Sequence, residues 1–136
     1  MELKTSMMIS AAGLRAQDVR MRVIAENLAN ANSVAPSPDA EPYRRKIVTF
    51  KNVLDKATGV AMVKVGRITT DKSEFTKRYD PGHPGADETG YVRMPNVNGM
   101  IEATDMRQAQ RTYEANLNSI ETARAMMMRT LDILRN

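Results

Sequence analysis

The sequence predicts a mainly α-helical protein with a small β insertion. A Pro-free N-terminal segment repeats apolar residues every seven positions, and a C-terminal segment steps by three and four through four heptads. The middle alternates in hydropathy and is punctuated by Pro and Gly. Three parts follow: an N-terminal helix over 1–33, a loop and short-stranded region over 34–99, and a C-terminal helix over 100–136.

In the N-terminal segment, Met7, Leu14, Met21 and Leu28 share one stripe, with Ala11 and Ala25 half a repeat between them. Asp18 interrupts the stripe, and Val23 and Ile24 widen it. A helix of this kind is marginal alone and wants partners. Ala35 to Pro42 holds Pro36, Pro38 and Pro42 and reads as an irregular connection. Strands are predicted over Tyr43 to Phe50, Val60 to Ile68, Phe75 to Tyr79 and Tyr91 to Met94, able to form one small sheet. Asp80 to Gly90 is dense in turn residues, and Asn98 and Gly99 mark another turn. The C-terminal seam runs through Met106, Ala109, Tyr113, Asn116, Ile120, Ala123, Met127, Thr130 and Leu134. Asn116 and Thr130 break it, and a buried seam Asn fixes register or partner number at some cost in stability.

Composition sharpens this picture. The 136 residues carry 20 Lys and Arg against 16 Asp and Glu, a net charge of +4, which excludes a polybasic tail as the chain's main feature. Leu, Ile, Val and Phe number only 26, while Ala reaches 16 and Met 11. Such a chain is short of private core and suited to close helix contacts with other copies. Cys is absent, which removes disulfides and thiolate chemistry but leaves the compartment open. No stretch is apolar for long enough to span a membrane. Met7 to Leu14 faintly resembles the middle of a secretory signal, but Ser10, Gly13 and the continuing helical pattern argue against cleavage.

Little in the sequence supports catalysis or a cofactor. The single His, His83, lies in Asp80-Pro81-Gly82-His83-Pro84-Gly85-Ala86-Asp87-Glu88. Asp80, His83, Asp87 and Glu88 could be read as metal ligands, but two Pro and two Gly within five positions suit a rigid turn better. Phosphate loops, serine elbows and zinc helix motifs are missing from the sequence. The densest basic cluster, Tyr43-Arg44-Arg45-Lys46, could with Phe50 clamp a nucleic-acid backbone. A solvated edge strand guarded by its charges is the plainer reading.

Two blocks carry a resemblance. Ile24-Ala25-Glu26-Asn27-Leu28-Ala29-Asn30-Ala31-Asn32-Ser33 resembles the Asn-rich signature of the rod, hook and related axial proteins of the bacterial flagellum. Asp80 to Asn98, reading DPGHPGADETGYVRMPNVN, is similar to the block of a proximal rod member of that family, and Tyr43 to Lys46 and Ala115-Asn116-Leu117 also fit. Ser33 stands where the family commonly has Thr. On physical grounds, Asn27, Asn30 and Asn32 offer amides that cap the helix end and bridge to neighbouring backbone.

The resemblance implies a structural subunit of the periplasmic rod that catalyses nothing and needs no cofactor. It implies export by the flagellar type III apparatus without a cleaved signal. Implied partners are further copies, other proximal and distal rod proteins, and the adaptor at the rod base, with neither nucleic acid nor a membrane span. The terminal helices are then expected to form a coiled coil in the polymer. The residues expected at the subunit interface are Leu14, Met21, Asn27, Leu28 and Asn30 on the first helix, with Met106, Tyr113, Asn116, Ile120, Met127 and Leu134 on the second. Aspartate at Ile120 is expected to block assembly while leaving the free chain soluble. The rival readings are a cytoplasmic helical adaptor or regulator that binds one partner helix, and a DNA-binding module using Arg44 to Lys46.

Overall fold

A computed structural model describes residues 2–136. In chain order the elements are α1 (Glu2–Ala29), β1 (Lys46–Asp55), β2 (Val60–Thr70), β3 (Thr76–Tyr79), β4 (Tyr91–Met94) and α2 (Gly99–Arg135). A β region therefore lies between two long terminal helices in the chain, as the periodicity predicts. α2 starts where it does because Pro95 bars an earlier helical turn and Asn98 caps the helix. The Asn98 carboxamide oxygen accepts the Met100 amide at 3.0 Å, and its carbonyl takes the Glu102 amide at 3.0 Å.

The expected single sheet is instead two separate two-stranded sheets, β1 with β2 and β3 with β4. Strands β1 and β2 are longer than predicted, at 10 and 11 residues, and the four-residue connection between them dictates an antiparallel hairpin. β3 and β4 pair antiparallel from Thr76 opposite Met94 to Tyr79 opposite Tyr91. The segment between the two hairpins does not extend either sheet, because side chains consume its carbonyls. Asp71 O accepts both the Arg44 guanidinium and the Asn96 amide at 2.9 Å.

The chain divides into two compact units. The first comprises residues 2–21, Thr49–Arg67 and Arg107–Asn136; the second comprises Arg22–Val48 and Ile68–Met106. In the first unit, α1 and α2 run antiparallel. Ser10 Oγ donates to Ser119 Oγ at 3.1 Å, Arg20 Nη2 donates to Gln108 Oε1 at 3.1 Å, and Gly13 meets Asn116. A Cβ at Gly13 would lie 2.6 Å from Asn116 Nδ2, so glycine is what admits the Asn amide at this crossing. The buried positions here are small: Ser10, Ala12, Gly13, Ala16, Ala109 and Ala123.

The second unit buries Val23, Ile24, Ala35 and Val92, together with Asn27 and Glu102. Its turn from Asp80 to Gly90 is built as a scaffold. The Asp80 amide bonds to Gly90 O at 2.9 Å, and Gly90 takes a φ of 85° that residues with a Cβ rarely adopt. His83 Nδ1 accepts the Gly85 amide at 2.9 Å, so the single His closes the turn. Asp87 Oδ1 accepts from the Thr89 and Tyr91 amides and the Thr89 hydroxyl, and these bonds hold its carboxyl below the ordinary range. At Gly85 a Cβ would overlap the backbone oxygen of Ala35, which is too rigid to yield. Gly85→Ala is accordingly expected to lower stability by about 2 kcal/mol, read as a shift in urea midpoint.

Candidate subunit interface

The C-terminal seam is apolar because its residues recur at three and four, and the structure shows how much of it the chain itself covers. Met106, Tyr113, Asn116 and Ile120 are half-buried, and Ala109 and Ala123 between them are buried. From residue 124 onward every position is exposed. That uncovered stretch contains Met126, Met127, Met128, Leu131, Ile133 and Leu134, with Met127 39% and Leu134 78% accessible. The cause is length. Ser10 opposite Ser119 and Gly13 opposite Asn116 set a register in which Met127 falls opposite residue 2. The last eight residues of α2 therefore extend about 12 Å past the first described residue of α1. On α1, Leu14 and Met21 are half-buried, while Leu28 is exposed.

Asn27 and Asn30 do different work. Asn30 Nδ2 donates to Glu26 O at 2.9 Å, satisfying a helix-end carbonyl, and its side-chain oxygen takes the Ser33 hydroxyl at 3.1 Å. The hydroxyl that replaces the family's Thr is thus in use. Asn27 is 1% accessible and spends its amide on the first residue of β1. Its Nδ2 donates to Lys46 O and its Oδ1 accepts the Lys46 amide, both at 2.9 Å, so the side chain imitates a peptide unit of a β ladder. The Tyr43 hydroxyl donates to the same Oδ1 at 2.8 Å, and Nδ2 also reaches Glu102 at 3.3 Å. Burial, reinforced by the nearby Glu26 carboxylate, pushes the Tyr43 phenol above its usual range.

Glu102 is fully buried and is paired by the Nε of Arg45. Two more carboxylates face the same guanidinium, Asp71 at 3.5 Å and Asp105 at 3.6 Å. The Glu102 bond raises the Arg45 pKa, while the Ser73 amide is the main cause holding Asp71 below the ordinary carboxylate range. One cation therefore secures three acids, and Asn96 Oδ1 fixes the Arg45 backbone amide at 2.7 Å.

Known proteins resemble nearly the whole chain. It is 47% identical over 133 residues to the flagellar basal-body rod protein FlgC of Agrobacterium fabrum, spanning 98% of this chain and 96% of that protein. It is 42% identical to the FlgC of Salmonella typhimurium, over 92% of each chain, and 39% identical to that of Bacillus subtilis, over 94% and 95%. A family model described as the C-terminal part of the flagellar basal body rod FlgEFG proteins matches residues 88–133, which hold β4 and most of α2. The chain belongs to the FlgC family of flagellar basal-body rod proteins.

Within this chain the basic cluster does not form the solvated edge strand expected of it. β1 begins only at Lys46, and Arg44 and Arg45 are half-buried ahead of it. Arg44 donates to Asp71 O and Ser73 O and lies 4.2 Å from the centroid of the Phe75 ring, whose other cation, Arg93, is at 5.9 Å. Lys46 pairs with Glu26, a bond that raises its pKa. These charges are drawn inward because carboxylates and carbonyls wait for them, which leaves little of the cluster to clamp a polyanion. The metal reading fares no better. Among the described residues no group of three or more His, Cys, Asp or Glu could hold an ion, and His83 is committed to its own turn. No helix of the described residues is long and apolar enough to cross a membrane.

Sequence reasoning misses Tyr43, Arg45 and Glu102 as one network. A signal is present. Glu102 lies four residues before Met106 on the seam row, where an acid needs a cation, and the densest cations are Arg44 to Lys46.

Proposed function

We propose that the chain is a structural subunit of the proximal rod, part of the shaft that crosses the periplasm, and polymerises through its terminal helices. The observation that carries this reading is the end of α2, where, among the described residues, seam residues continue at coiled-coil spacing and every position stays exposed. Met127 and Leu134 are interface residues in this reading. The half-buried Leu14, Met21, Met106, Tyr113, Asn116 and Ile120, with Leu28 and Asn30, complete it through the area they leave exposed. Asn27 acts indirectly, by fixing the end of the helix that presents the others. The subunit is structural, not an enzyme, as its relatives' names indicate. Neighbouring copies, other rod proteins and the rod-base adaptor are its partners, and export through the flagellar type III apparatus delivers it. A cytoplasmic adaptor would need no likeness to rod proteins across nearly the whole chain.

Electron microscopy of basal bodies from cells lacking the chain tests the proposal. Particles stopped before a rod and hook, restored by the intact gene, are the expected result; complete rods would overturn it. The paired substitution Met127→Asp with Leu134→Asp refines the test. Both positions are exposed, so the purified chain should unfold within about 0.5 kcal/mol of the parent. The same substitutions should abolish swimming, because the charges would be buried unpaired only in the polymer.

A further inference from the structure

Among the described residues the methionines fall into two groups. Met7, Met8, Met21, Met62, Met94 and Met106 are half-buried, while Met100, Met126, Met127 and Met128 are exposed. Three of the exposed ones are consecutive, at 51%, 39% and 55% accessible, and they follow directly on the last buried seam residue of α2, Ala123. At about 100° per residue, three consecutive side chains point to three sides of a helix. Between Ala125 and Leu134 the apolar side chains run from Ile133 and Met126 through Leu134 and Met127 to Met128, around about 220° of the circumference. A helix that covers one neighbour needs an apolar stripe of about 100°. All three thioethers therefore belong to the surface that subunit contact would bury. The sequence holds no thiol to react with an oxidant in their place.

We propose that Met126, Met127 and Met128 form an oxidation site at which hydroperoxides bar the free chain from assembly. This inference rests on the rod reading and adds a chemical control to the surface that reading uses. A thioether sulfur attacks the outer oxygen of the hydroperoxide; the S–O bond forms as the O–O bond breaks, the proton passes to the departing oxygen, and the peroxide leaves as water or an alcohol. Sulfur is oxidised by two electrons and the peroxide is reduced by two. Before the reaction these side chains are flexible and apolar and adapt to neighbours of varied shape. Afterwards each carries a strong acceptor that finds no donor in an apolar contact, so burying it is costly. Met100 is more exposed, at 82%, but lies off the C-terminal seam, and its sulfoxide leaves assembly untouched.

Trypsin isolates the site for mass spectrometry. Cleavage after Arg124 and Arg129 releases residues 125–129 with all three sulfurs, and cleavage after Lys56 and Lys64 releases 57–64 with Met62 alone. In the purified chain treated with hydrogen peroxide, the first peptide should gain an oxygen about ten times faster than the second; equal rates overturn the site. Cells lacking the native chain are then induced to make it, pulsed with hydrogen peroxide, quenched with catalase and left to build basal bodies. Chains in the basal bodies should carry sulfoxide at 125–129 at no more than about a tenth of its level in the unassembled pool, while Met100 sulfoxide is equal in the two. Sulfoxide at 125–129 that is equally frequent in both pools overturns the proposal. Exclusion of Met100 sulfoxide to the same degree also overturns it, since that would mark general damage. Basal bodies without the chain in unpulsed cells overturn the rod reading itself.

Discussion

Asn27→Asp is expected to destabilise the chain by about 4 kcal/mol, a large effect for the exchange of one amide for one carboxylate. The carboxylate keeps an acceptor for the Lys46 amide and the Tyr43 hydroxyl but loses the donor to Lys46 O. It also stands where Nδ2 now reaches the buried carboxylate of Glu102, so an attraction becomes a repulsion between two desolvated charges. Protonation of the new acid restores a donor, and the deficit should therefore shrink as pH falls. Urea titrations followed by circular dichroism, near neutrality and near pH 4, measure both terms. A deficit below about 1 kcal/mol at neutral pH would mean that the amide bridge is incidental.

Arg45→Leu follows in size, at about 3 to 5 kcal/mol. It strips the cation from Glu102, which has nowhere to find water, and from Asp71 and Asp105, which are partly exposed and lose less. The pH dependence separates parent from variant. In the parent, Asp71 has a depressed pKa, held down first by the bonds from Ser73 and then by Arg45, so its contribution is present above the unfolded value and is lost as pH falls through the folded one; the variant keeps the Ser73 share and loses the Arg45 share. The variant holds three acids with no guanidinium among them. Protonating one relieves the repulsion, so its stability should fall less than the parent's on acidification, and the two urea midpoints should converge. Parallel pH profiles would contradict the assignment of Arg45 as the shared counter-ion.

How much of this is legible in the sequence depends on the range of the interaction. Both helices follow from periodicity, because a stripe at three and four is a local property that the chain cannot hide. The strand at Tyr91 to Met94 matches its expectation to the residue, since Asp87 to Gly90 and Pro95 bound it on both sides. Alternation misplaces the first strand. Tyr43 to Arg45 alternate like a strand, but their backbone and side chains answer to Asn27, Asn96 and Glu102, up to 57 positions away. Division of the β region into two hairpins is likewise invisible, because it turns on Asp71 O being claimed by Arg44 and Asn96. The bridging role of the Asn-rich block is legible in kind, though not its target. The reach of α2 beyond α1 depends on a register set by Ser10, Gly13, Ser119 and Asn116, and small residues announce no register in sequence.

Those small residues have a mechanical meaning. Apart from Ser10, the buried positions of the first unit are alanines and a glycine, which possess no side-chain torsion. A junction of long side chains yields to twisting by hopping between rotamers, dissipating work a fraction of a turn at a time. Alanine has no such hop to make. Within one subunit, a twist applied to α1 would therefore pass to α2 through backbone against backbone, with little slack between the turn of one helix and the response of the other.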